Sequence, residues 1–367
     1  MRTKVNKPVI APKVTKDKPA APKKTNAEIS KLVADLNKRF GDNCISIGVT
    51  SDSGPVKRIP TGSFSLDMSI GGGIPVGRCT QISGAYSSTK TSQAIHIIRE
   101  AQKMGYTCAY IDVEGTSDEY FFESIGVDYA SLLYSRPESL EEATEILLQL
   151  QRSGVVQVGV IDSVAALSAN KEQETSMEDT VQMGVTQKLW GEFARKYQMN
   201  NNHLTRNGNE SFTLILINQL REKVGAYGDP EYTPGGRAIG FLTTLDIRFR
   251  RGDWIKEGTG GNQKITGQIV KFKIEKNKTF TRMQTGEFDY YFADNTANVV
   301  KYHNDYLKDV VITGYNWGII ERSGSWFVYK DKKVQGAQGM VDLLRNEPDI
   351  VEDIRTQVLN LSMKGRA

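Results

Sequence analysis

Two spacings of apolar residues divide the chain. Between Asn26 and Phe40 the apolar positions Ile29, Leu32, Val33, Leu36 and Phe40 recur at helical spacing and form one stripe. The preceding "TNAE" is a capping-box pattern, in which Thr25 accepts from the Glu28 amide and the Glu28 carboxylate reaches back. So short a helix cannot bury its stripe alone and must pack on the body or on a neighbouring subunit. From about residue 61 the pattern changes. "RCTQIS" reads as a strand, and "TSQAIHIIREAQKMG" as a helix stopped by Gly105. "TCAYIDVE" follows as a strand, "SLEEATEILLQLQRSG" as a helix, and "VVQVGVIDS" and "FTLILINQ" as buried strands. This order predicts an α/β fold with a mostly parallel sheet flanked by helices on both faces. After Phe241 the strands "LTTLDIRFRR", "GQIVKFKIEKNK" and "EFDYYF" follow one another, so antiparallel additions should finish the sheet. Residues 200–211, "NNNHLTRNGNES", read as a polar surface loop, and residues from about 298 as a small separate α+β unit ending in the helix "EPDIVEDIRTQVLNL".

Composition narrows the class. A chain of 367 residues, 39% hydrophobic and 25% charged, suits a globular protein with one large domain and smaller additions. No apolar run approaches the roughly 20 residues of a membrane span. Cys44, Cys79 and Cys108 are far apart and match no metal or redox spacing, and the chain has only 3 histidines, which argues against zinc and for a reducing, cytoplasmic setting. Much of the net charge of +4 sits in the first 24 residues, whose Lys, Pro and Ala content reads as a disordered basic tail. A nucleic-acid role must therefore come from elsewhere.

The chemistry concentrates after the first strand. "GAYSSTKT", Gly84 to Thr91, is one residue away from the phosphate-loop pattern G-x-x-x-x-G-K-[ST], with Thr89 in place of the second glycine. Its context of strand, loop and helix N-terminus is the one that binds phosphate through free backbone amides. Lys90 would reach the β- and γ-phosphates, and the Thr91 hydroxyl would bind magnesium. Asp162 ends a buried apolar strand, where a carboxylate is costly unless paired or near a metal ion; the alternative is an Asp capping the next helix. In "AYIDVEG", Asp112 and Glu114 should share one side of the pleat, making Glu114 a candidate general base. Lys276 and Lys278 in "EKNK" should share a strand face, either solvated or aimed at one phosphate.

The segments "GSFSLDMSIGGGIPVGRCTQISG", "IDVEGTSDEYFFESIGVD", "VIDSVAALSA", "LINQLREKVGAYGDPEYTPGGRAIGF" and "IEKNKT" occur in the order and spacing of the bacterial RecA recombinase family, which the chain resembles from about Asn26 to its C-terminus. The resemblance implies a RecA-type phosphate-loop NTPase core and a DNA-dependent ATPase that forms helical filaments on single-stranded DNA. It implies pairing with homologous double-stranded DNA and strand exchange, with ATP and Mg2+ bound between subunits. Lys90, Thr91, Glu114 and Asp162 then match the phosphate-loop pair, the catalytic glutamate and the magnesium-side aspartate. Gly84, Ser87, Ser88, Thr89 and Ser92 complete the loop, and Asp118 and Phe121 lie where the family holds adenine, Phe121 replacing a tyrosine. Gln219 matches the glutamine that senses the γ-phosphate. Lys276 and Lys278 match lysines that reach ATP from the neighbouring subunit.

Two DNA loops are implied, Ser168 to Gly184 and Arg221 to Arg237. Met183, Gly184, Lys188, Arg195, Arg221, Lys223, Val224, Gly235, Gly236 and Arg237 are the DNA-binding candidates, with the cations following the backbone and Val224 wedging between bases. Arg322, Lys330, Lys332 and Lys333 of the C-terminal unit are candidates for duplex DNA. The expected division is a tail over 1–24, a subunit-docking helix and strand over 25–60, the ATPase core over 61–297 and a duplex-guiding domain over 298–367. The relaxed loop, the basic leader and the ending "MKGRA" without an acidic tail suggest a phage-encoded relative, acting in a bacterial cell or a phage-infected host. The rival readings are a RecA-fold helicase or motor of another family, and a DNA-coating filament protein that no longer hydrolyses ATP. Thr89 decides between the last and a working enzyme. The expectation is a working site, its Thr89 amide on phosphate and its side chain turned away, with left-handed strain avoided if φ is ordinary.

Overall fold

The computed structural model describes residues 26–41, 43–47, 56–167, 184–222, 231–281 and 284–364. The basic tail, Thr25, Met183, Lys223 and Val224 lie outside the described residues, as does most of each implied DNA loop. The rest falls into two compact units, one ending at Gly54 and the other beginning at Pro55.

In the first unit the apolar stripe does form a helix, Asn26–Phe40, with Glu28 in its first turn and Lys38 and Arg39 in its last, the charge order that complements the helix dipole. The chain folds back after it, and Asn37 exchanges hydrogen bonds of 2.9 and 3.0 Å with the backbone of Ile45. Ile29, Leu32 and Phe40 stay exposed.

The second unit is built on a nine-stranded sheet. Its strands in chain order are β1 (Cys79–Gly84), β2 (Cys108–Asp112), β3 (Leu133–Ser135), β4 (Val158–Asp162), β5 (Thr213–Gln219), β6 (Leu245–Glu257), β7 (Lys264–Asn277), β8 (Thr285–Tyr291) and β9 (His303–Asn304). Across the sheet the order is β9-β8-β7-β6-β1-β5-β4-β2-β3. The pairs from β6 to β3 are parallel, and β7, β8 and β9 are antiparallel additions. The first strand after Phe241, expected as antiparallel, is thus parallel to β1; only its return β7 reverses.

The run "TLILIN" shows why these strands carry no polar face. Ile215 and Ile217 pack with Ile82, Ile95, Ile98 and Phe249 on one side, while Leu214 and Leu216 pack with Leu147, Trp190 and Phe193 on the other. Burying each such side chain on a two-sided sheet stabilises the fold by about 1.5–3 kcal/mol. Helices Lys90–Lys103 and Glu119–Ile125 cover the first face; Leu140–Ser153 and Val185–Arg206 cover the second.

One further expectation is corrected here. The polar stretch 200–211 is helical as far as Arg206. Asn201, low in helix propensity, is buried and receives Gln151 Nε2 at 2.7 Å and the Phe212 amide at 3.0 Å, so tertiary bonds override local preference. The C-terminal lobe has strands Glu321–Ser323, Trp326–Tyr329 and Lys332–Gln335. It shares one apolar cluster with Phe64 and Met68 of helix Phe64–Ile70, and Asp309 accepts from Ser63 Oγ at 2.8 Å and the Ser65 amide at 3.0 Å.

Candidate active site

The phosphate loop leaves β1 at Gly84, which the geometry requires. A Cβ there would stand 2.5 Å from Ser88 Oγ and 2.6 Å from the Phe249 carbonyl, closer than such atoms pack. The loop then closes on itself. Ser88 Oγ donates to Ala85 O at 2.8 Å, and the ammonium of Lys90 donates to the same carbonyl at 2.8 Å. Burial lowers the pKa of Lys90, while Asp162 and Glu114 oppose that shift. A phosphate entering the loop would replace Ala85 as the partner of this ammonium.

Thr89 adopts φ 63°, ψ 20°, the left-handed conformation, so the strain that the sequence left open is present. Its hydroxyl donates to Ser88 O at 2.6 Å and makes no cap to the helix it precedes. That choice matters chemically. A threonine at this position could have capped the first-turn amides of helix Lys90–Lys103, yet they keep no side-chain acceptor and remain available to an anion.

Thr91 and Asp162 meet. Thr91 Oγ1 donates to Asp162 Oδ2 at 2.6 Å, and the buried Tyr110 hydroxyl donates to the same oxygen at 2.7 Å. Burial pushes the Asp162 carboxyl upward in pKa, the two hydroxyls pull it down, and Glu114 and Asp112 push it up again. A carboxylate so poorly solvated beside a hydroxyl is a fitting partner for a hard cation. No group of three or more His, Cys, Asp or Glu capable of holding a metal occurs among the described residues. Magnesium takes one or two protein ligands and completes its shell with phosphates and water, so Thr91 and Asp162 are the residues here that would hold it.

Asp112 and Glu114 do not share a face. The strand ends at Asp112, so the pleat no longer applies, and Asp112 turns inward to accept from the Gly115 amide at 2.7 Å, the Ser117 amide at 3.2 Å and Tyr134 OH at 2.6 Å. That buried turn presents Glu114 to solvent. There Glu114 Oε1 accepts from Ser163 Oγ and from Gln219 Nε2, both at 2.6 Å. Asp118 caps helix Glu119–Ile125 through the Phe121 amide at 2.8 Å, and the Phe121 ring lies edge-on to Tyr302 at 5.2 Å.

The implied DNA loops begin and end on this machinery. Arg221 Nη2 donates to Ala165 O at 3.2 Å, tying the start of the second loop to the segment leading into the first. Next to Gln219, Asn218 Nδ2 donates to Pro234 O at 2.9 Å and to Gln81 Oε1 at 3.1 Å, and Gln81 Nε2 donates to Asp246 at 3.0 Å. Lys188 and Arg195, two turns apart on helix Val185–Arg206, are both exposed, as are Gly236 and Arg237 of helix Gly236–Leu242; Gly184 is exposed and Gly235 half-buried. In the C-terminal lobe Lys330 pairs with Asp353 and Lys332 with Glu347, whereas Lys333 lies over Trp326 and Arg322 over Phe327.

Lys276 and Lys278 are not brought to the loop. Lys276 pairs with Asp246, and Asp246 with Gln81, so it sits three residues back from Gly84 along the strand direction, about 10 Å. Lys276 Nζ donates to Gly240 O at 2.6 Å, and Lys278 is exposed beyond the strand end, lining a cleft of about 600 Å³ with Arg78, Arg195 and Phe241. Motif reading missed Tyr110, Ser163, Gln268 and Tyr290, which touch the site only through tertiary approach; the sole sequence signal was Ser163 next to Asp162.

Residues 27–297 match the RecA N-terminal domain family and residues 308–362 the RecA C-terminal domain family. Relatives called "Protein RecA" include that of Ruminococcus albus, 39% identical over 89% of this chain and 78% of its own length. Those of Aquifex pyrophilus and Aquifex aeolicus are 38% and 37% identical, over 90% and 89% of this chain and 90% of each relative. With both domains matched in order and nearly the full length aligned, the chain belongs to the RecA family.

Proposed function

We propose that the nucleotide is ATP with magnesium, and that each site is completed by a second copy of the chain. As a RecA-family member the protein is a DNA-dependent ATPase and recombinase. The observation that carries the shared site is the strand register, which holds Lys276 about 10 Å behind Gly84 within its own subunit. A charge so placed serves a phosphate only from a neighbour, in a head-to-tail contact that does not close and so builds a helix. The exposed stripe of helix Asn26–Phe40 supports such a contact, because an apolar stripe on a free surface is unusual.

In this reading Lys90 and the first-turn amides hold the phosphates, and Thr91 and Asp162 hold magnesium, which supplies charge neutralisation on the transferring group. Glu114 orients the attacking water and takes its proton. Gln219 gives its side-chain hydrogen bond to that base and stands two residues before Arg221, where the second DNA loop begins. A γ-phosphate drawing the Gln219 amide away would release Glu114 and shift Arg221, two residues on. Single-stranded DNA lies along Lys188, Arg195, Arg221 and Arg237, duplex DNA meets the C-terminal lobe, and the setting is cytoplasmic.

Mixing two variants tests the shared site. Lys90→Ala and Lys276→Ala should each be inactive alone. In an equal mixture, about a quarter of head-to-tail interfaces pair an intact loop with an intact lysine, so DNA-stimulated turnover should return to a matching fraction. A mixture as inactive as its components would sink the trans assignment.

A further inference from the structure

One row of side chains grips the phosphate loop from the antiparallel part of the sheet, a direction no motif residue uses. Gln268 of β7 and Tyr290 of β8 are register partners on adjacent strands, and both are buried, 3% and 5% exposed. Gln268 Nε2 donates to Ser87 O at 3.2 Å, and Tyr290 OH donates to Ser92 Oγ at 2.9 Å. One bond falls before Thr89 and the other after it.

Between these anchors the loop has an unusual backbone. Ser87 has φ 57° and Thr89 φ 63°, both left-handed, and the sequence offers no glycine between Gly84 and Lys90. A non-glycine residue in that conformation persists only where its surroundings hold it. The bond from Gln268 does this at an informative atom. In a trans peptide the carbonyl of one residue and the amide of the next point in opposite directions. Fixing the Ser87 carbonyl toward the sheet therefore turns the Ser88 N–H toward the opposite side, into the loop.

We propose that Gln268, with Tyr290 beside it, is a positioning residue for the phosphate loop, holding the Ser87–Ser88 peptide in the orientation that presents its amide to phosphate. It does for this loop what a glycine does by conformational freedom in others. The proposal rests on the loop being the nucleotide site. It also links that site to β7, the strand that carries Lys276 toward the neighbouring subunit.

Gln268→Met keeps the side chain's size and removes the donor. The KM for ATP in DNA-stimulated turnover should rise about tenfold, the loss of one part-buried hydrogen bond, while kcat changes by less than about threefold. The thermal midpoint should stay near that of the wild type. Ser87→Gly added to this variant should return KM to within about threefold of the wild-type value, because glycine adopts positive φ unaided. A wild-type KM in Gln268→Met overturns the proposal, and so does a raised KM that Ser87→Gly leaves unchanged, which would make Gln268 a packing residue. Lys90→Ala, measured alongside, separates this from the reading beneath it. Turnover lost in Lys90→Ala confirms the loop as the site whatever Gln268 does; turnover retained overturns the site assignment and this proposal together.

Discussion

Replacing Thr89 by glycine tests whether the relaxed loop is a working one. The left-handed φ of 63° costs a non-glycine residue about 1–2 kcal/mol, which glycine would relieve. Against that, Thr89→Gly loses the 2.6 Å hydrogen bond to Ser88 O, with a net value of about 0.5–1.5 kcal/mol. Glycine also loses about 0.5–1 kcal/mol more conformational entropy on ordering. At the middle of these ranges the gains and losses cancel to within about 0.3 kcal/mol, well below the 1.4 kcal/mol that makes a tenfold change in rate. DNA-stimulated phosphate release by Thr89→Gly should therefore lie within about tenfold of wild type, on either side, whereas Lys90→Ala should lose nearly all of it. Wild-type protein that releases no phosphate with DNA and magnesium, beside a Thr89→Gly variant that does, would show that the loop has decayed and that the cancellation is wrong.

Three further outcomes follow from the same structure. Tyr110→Phe removes one of two hydroxyls on the buried Asp162 oxygen and should destabilise the fold by about 1–3 kcal/mol, read from the midpoint of urea unfolding; an unchanged midpoint would mean that the bond contributes nothing. Burial raises the carboxyls of Asp67 and Asp309 to about 7 and about 6. Both lie above the unfolded value near 3.9, so the native state binds more protons than the unfolded state between about pH 4 and 7 and stability falls as pH rises through that window, levelling above it. Unfolding midpoints at pH 5 and 8 should show this drop, and Asp67→Asn should flatten it; an equal drop in that variant would place its origin elsewhere. Leu32→Asp combined with Leu36→Asp should leave a folded protein that forms no filaments on single-stranded DNA by electron microscopy, and normal filaments would refute the docking role of helix Asn26–Phe40.

The sequence made the central sheet legible because its strands are buried on two faces and read as unbroken apolar runs, as in "TLILIN". The phosphate loop was legible because its spacing is set by a local strand-to-helix turn, and Asp162 because a carboxylate ends a buried apolar strand, whereas Gln219 was carried by the family resemblance. What remained hidden depends on long-range approach. Tyr110 looks like another apolar strand residue until β4 places Asp162 against it. Gln268 lies 181 positions from Ser87, and nothing in "GQIVKFK" marks its amide as a loop anchor. Asp112 and Glu114 were misjudged because a pleat was assumed past the residue where the strand stops. The helical reach through Asn201 was hidden for the same reason, since its bonds come from Gln151 and Phe212 on other elements.

The most direct test of the recombinase itself is a strand-transfer measurement with purified protein, circular single-stranded DNA and a homologous linear duplex, products separated on a gel. Joint molecules should form with ATP and magnesium present, fail without nucleotide, and fail with Lys90→Ala. A protein that hydrolyses ATP on single-stranded DNA yet forms no joint molecules with the homologous duplex would be a motor of another kind and would contradict the assignment.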